Sequence, residues 1–81
     1  MFTRVNCYVH DSHYDECLEL VKKINGVLSS VQPERKTDSH YVEVEANFKN
    51  LNDANSFIYK MFFRYGLHFY VEQMQYVSKY F

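Results

Sequence analysis

Two stretches of strict two-residue alternation, each followed by a stretch with helical spacing, limit what this chain can fold into. Residues 4–10 place Val5, Cys7 and Val9 on one side and Arg4, Asn6, Tyr8 and His10 on the other. Period two over this length predicts a half-buried strand. The pattern returns from His40 to Phe48, with Val42, Val44, Ala46 and Phe48 on one face and Tyr41, Glu43, Glu45 and Asn47 on the other. After the first strand, Tyr14, Cys17, Val21 and Ile24, flanked by Leu18 and Leu20, form an apolar stripe at helical spacing. Ser12 stands at the N-cap with Asp15 three residues on, Asp15, Glu16 and Glu19 come early, and Lys22 and Lys23 come late, as capping and the helix dipole favour. Gly26 is the expected stop. After the second strand, Leu51-Asn52-Asp53 opens a helix capped by Asn52 or Asp53, with Ala54, Phe57, Ile58, Met61 and Tyr65 as core and Gly66 as its end. Tyr59, Phe62 and Phe63 carry the apolar arc well beyond that core stripe.

The segments between are shorter signals. Val27–Val31 reads as a strand, followed by Pro33 and the polar run 34–38, a composition that blunts a sheet edge. Leu67–Val71 reads as the last strand, extended to about residue 77 by β-branched and aromatic residues; helical spacing, which would group Val71, Met74, Val77 or Ser78, and Phe81, is the alternative for residues 72–81. Unbroken alternation would set Met74 and Tyr76 on the face of Tyr70. The order β-α-β-β-α-β predicts one α+β domain over residues 1–81, with a four-stranded antiparallel sheet and both helices on one face. This pattern resembles the ferredoxin-like (split β-α-β) arrangement, which implies the sheet order last strand, first, third, second.

Eight tyrosines and seven phenylalanines in 81 residues are more rings than such a domain hides. A packed ring buries about 150–250 Å², while a chain this short buries only roughly 60% of its unfolded surface. The remainder predicts a contact surface. Three groups of residues are candidates for it. On the outer sheet face, Tyr8, Tyr41 and Tyr70 ring the acids Glu43, Glu45 and Glu72, a composition suited to a basic partner surface. On the last strand, Met74 and Tyr76 flank an edge that carries no proline, open to strand addition by a second copy or a partner. On the second helix, Tyr59 and Phe63 lie on the flank of the core stripe, where a homodimer or partner would cover them.

Composition argues against other classes. Net charge is −1, with no basic stripe to meet a row of phosphates, so nucleic acid is not the expected partner. No apolar run approaches the roughly 20 residues of a membrane helix, and the N-terminus lacks the pattern of a signal peptide, so the expected location is a reducing cytoplasm, that of the host if the chain is viral. Cys7 and Cys17 fall on apolar faces and are expected to be buried thiols. His10 and His13, with Asp11, Asp15 and Glu16 near, could supply metal ligands, but their spacing matches no strong signature, and His40 and His68 stand alone. No cofactor or metal is expected. The chain has no phosphate-cradling glycine loop and no nucleophile elbow, so a non-enzymatic protein–protein interaction module is the expectation. An ACT-like small-molecule-binding regulatory domain and an RNA-binding domain are the alternatives this layout admits. An aromatic-rich, motif-free chain of this length also resembles small bacteriophage accessory proteins, which implies an inhibitor that docks on a larger host protein.

Overall fold

A computed structural model describes residues 1–33 and 39–78. The elements are β1 (Phe2–His10), α1 (Tyr14–Lys23), β2 (Val27–Leu28), β3 (Tyr41–Phe48), α2 (Leu51–Tyr65) and β4 (Phe69–Val77). The strands form one antiparallel sheet in the order β2-β3-β1-β4, with β1 and β3 central. The protein is thus α+β.

The alternation of β1 and β3 sorts their side chains as physical chemistry requires. Val5, Cys7 and Val9 of β1 and Val44, Ala46 and Phe48 of β3 join Cys17, Leu20 and Val21 of α1 and Ala54, Phe57 and Met61 of α2 in one core. Phe57 lies at its middle, 5.2 Å from the Phe48 ring and edge-on to Phe69 at 5.9 Å. Burying such a side chain contributes about 1.5–3 kcal/mol, so α2 is held by this stripe.

Helix ends are set by particular residues. α2 is capped by Asn50, whose side chain accepts from the Asp53 backbone N–H at 2.9 Å, ahead of the expected Asn52 or Asp53. Before α1, the side chain of His10 accepts from the Ser12 N–H in a single 3-10 turn, Asp11–His13, so Ser12 lies inside that turn instead of capping the helix. α1 ends with Asn25 left-handed at φ 59°. The Asn25 N–H donates to Lys22 O at 3.0 Å and the Gly26 N–H to Val21 O at 2.8 Å, which together satisfy two end carbonyls. Gly26 is required by close approach, because a Cβ there would stand 2.6 Å from the Phe48 ring.

Two strands depart from the sequence pattern. β2 is only Val27–Leu28, because beyond it a side chain does the work of a strand. The Gln32 amide donates to Glu45 O at 2.8 Å and accepts from Glu45 N at 3.0 Å. In β4, Cys7 pairs with Val71 but Asn6 pairs with Gln73, so Glu72 is an extra residue in a β-bulge. The bulge reverses the parity of everything after it. Met74 and Tyr76 lie opposite Val5 and Thr3, on the helix side of the sheet, and not on the face of Tyr70. Leu67 and His68 belong to a 3-10 turn that precedes β4, so the last strand starts at Phe69. The expected edge protection by residues 34–38 falls outside the described residues; Pro33 lies within them, in no regular element.

Candidate docking surface

The outer sheet face is a connected polar network. Tyr8 Oη donates to Glu43 Oε1 at 3.1 Å. Asn6 Nδ2 donates to Glu43 Oε2 at 3.3 Å and to Glu45 Oε1 at 3.1 Å. Arg4 Nε donates to Asn47 Oδ1 at 2.9 Å and lies 3.6 Å from Glu45 Oε2. Asn47 in turn donates to Val27 O and to Ser29 Oγ. Above the carboxylates the three tyrosines form a ladder. Tyr8 stacks on Tyr70 at 5.0 Å, Tyr70 meets Tyr41 at 5.6 Å, and the Tyr41 hydroxyl donates to Leu67 O at 2.6 Å.

That network changes what this face presents. Outward parity put Glu43 and Tyr8 on the water side, yet they are only 3% and 7% exposed, because the side chains of neighbouring strands close over each other there. Tyr41 and Glu45 are half-buried; Tyr70 and Glu72 are exposed. Of the remaining candidates, Met74 and Tyr76 are exposed at the β4 edge, separated from Tyr70 by the bulge. The network is therefore chiefly internal. Its carboxylates already accept hydrogen bonds within the fold.

The exposed rings gather instead on α2. Phe63 is 93% exposed and Tyr59 is 74% exposed, one helical turn apart, and Leu67 in the following turn is also 93% exposed. Phe62 is partly drawn back by an edge-on contact with Phe69 at 5.1 Å. Tyr59, Lys60, Phe63 and Arg64 line a common surface depression, so two cations border the rings. Leu67 was not a candidate from the sequence, where it reads as a strand residue; it lies beyond the end of α2, in the 3-10 turn Gly66–His68.

Both thiols are fully buried. The neighbouring Cys17 thiol, burial itself and the Glu43 carboxylate hold the Cys7 thiol well above its ordinary pKa, so it stays protonated and non-nucleophilic near neutral pH. No group of three His, Cys, Asp or Glu side chains able to hold a metal ion occurs among the described residues. No helix among them is long and apolar enough to cross a membrane. Comparison with protein-family models, with curated proteins and with solved structures finds no match to this chain.

Proposed function

We propose that this protein is a non-enzymatic docking module that binds another protein through the outward side of α2. The observation that carries the reading is the exposure of Phe63, supported by Tyr59 and Leu67. A large apolar side chain left in water forgoes about 1.5–3 kcal/mol that burial would supply, and Tyr59 and Phe63 on α2, with Leu67 in the turn that follows it, concentrate that deficit. Aromatic side chains and arginine are also enriched at interface centres, and charged side chains such as Lys60 belong to the rim. Lys60 and Arg64 select the partner's chemistry, an apolar contact bordered by acidic side chains. The same charges repel in a face-to-face pairing of two copies, so a different protein is the favoured occupant. An inhibitor or accessory protein acting on a larger host protein is the form this module takes in our reading.

The scaffold supports this as a ferredoxin-like (split β-α-β) arrangement. Read from β4, the strand order is last, first, third, second, and one core contains residues of both helices. The outer sheet face has the lesser part, because Glu43 and Glu45 are engaged by Tyr8 and Asn6.

The test is affinity capture from the native host with the wild-type chain, with Tyr59→Ala/Phe63→Ala, and with Tyr76→Ala. A partner retained by the wild type and Tyr76→Ala but lost by the α2 variant is the expected result. Equal capture by all three would overturn the surface assignment. Sedimentation of the pure wild type as a dimer that Phe63→Ala dissociates would overturn the heterologous partner in favour of a second copy.

A further inference from the structure

All four histidines of the chain, distant in sequence, meet at one end of the molecule. Two of them are in direct contact. His13 Nε2 lies 3.1 Å from His68 Nδ1, with ring centroids 5.2 Å apart. A carboxylate can only accept, so the 3.3 Å contact of His13 Nδ1 with Glu16 Oε2 places the proton of neutral His13 on Nδ1 and leaves the Nε2 lone pair facing His68. Both rings are held in place. Tyr65 stacks on His13 at 4.3 Å and His10 stacks on His68 at 4.7 Å. His10 is itself fixed, its Nδ1 accepting from the Ser12 N–H at 3.2 Å and lying 2.7 Å from Ser12 Oγ.

We propose that His13 Nε2 and His68 Nδ1 chelate a zinc ion. Two imidazole nitrogens bound to one tetrahedral zinc at about 2.0–2.1 Å stand about 3.3 Å apart. The observed 3.1 Å is within about 0.2 Å of that separation, so a small reorientation of the two rings converts the contact into a chelate. In the unbound pair the His68 Nδ1–H donates to His13. On binding, that proton leaves Nδ1 and the neutral ring carries its proton on Nε2 instead, so neither ring changes charge and no redox step is involved. Imidazole is a ligand type that zinc favours. Glu16 stands behind His13 as the carboxylate that fixes its tautomer and raises its basicity. No third protein ligand converges here among the described residues, so water completes the coordination, and binding is weaker than at a closed structural zinc site. The pair is open to solvent, His13 partly and His68 largely.

Zinc titration against a competing chromophoric chelator at about pH 7.5 tests this, since both imidazoles must be unprotonated to bind. The wild-type chain should bind one zinc ion, and His13→Ala and His68→Ala should each bind at least about tenfold more weakly, with Glu16→Gln weakened about tenfold. His40→Ala should bind as the wild type does. Circular dichroism establishes that each variant is folded. In the unaltered protein, imidazole NMR signals of His13 and His68 should shift on zinc addition, a readout that needs no variant to fold. Binding that survives in the His13→Ala/His68→Ala double variant, shifts confined to His10 or His40, or no binding at millimolar zinc would each overturn the proposal.

Discussion

A carboxylate on the water-facing side of a sheet is ordinarily replaceable, because solvent supplies whatever hydrogen bonds it loses. Glu43 is different: it is nearly inaccessible and accepts from Tyr8 and Asn6. Glu43→Gln should therefore lower stability by about 1–3 kcal/mol, and Glu43→Lys by more, since it sets a buried cation among donors. Glu72→Lys, at the exposed bulge, should change it by under about 0.5 kcal/mol. Urea unfolding of the three variants measures the contrast, and equal small effects would show that the network contributes little. Cys7 gives a pH prediction. Its folded pKa is raised, so its contribution is intact below the unfolded thiol value of about 8.5 and is lost as pH rises through the folded value. Stability should fall on the alkaline side, and Cys7→Ala should flatten that slope. A thiol reagent at neutral pH should label neither cysteine until the chain unfolds.

At the scale of elements, α2 carries two stripes with opposite fates. Phe57→Ala empties the centre of the core and should cost about 3–5 kcal/mol, whereas Phe63→Ala should stay within about 0.5 kcal/mol in the isolated chain. Matching losses in thermal unfolding would mean that Phe63 is packed after all. The core stripe, the sheet faces of β1 and β3 and the two helices were all legible, because burial repeats at the period of each element. What was not legible depends on single residues acting off the pattern. Asn50 caps α2 from outside the periodic segment, Gln32 replaces strand with side chain, and Glu72 inserts into β4. The bulge is testable. Deleting Glu72 leaves the pairs Cys7–Val71 and Asn6–Gln73 in register without the interruption, so the fold should persist. The regularised edge should aggregate more readily, because bulges are one way sheets discourage edge pairing. Loss of folding would show that the bulge is structurally required.

For the molecule as a whole, the surplus of rings correctly implied exposed aromatics, but composition does not say where they emerge. The sequence pattern pointed first to the outer sheet face, where Tyr8 and Glu43 in fact satisfy each other. Phe63 and Tyr59 were visible as an overwide apolar arc, and Leu67 was hidden by its β-like neighbours. Only half of the histidine cluster could be read: His10 and His13 were visible as neighbours in one loop, whereas His40 and His68 join them only when β1, β3 and β4 are aligned in the sheet.

The central claim is that the outward side of α2 is a binding surface. Its most direct measurement is calorimetric titration of the captured partner into the wild-type chain and into Phe63→Ala. An anchoring ring at an interface centre is worth about 2 kcal/mol or more, roughly a thirtyfold change in Kd, so the account predicts at least that loss with an unchanged melting temperature. Equal affinity of the two chains for the partner would contradict it.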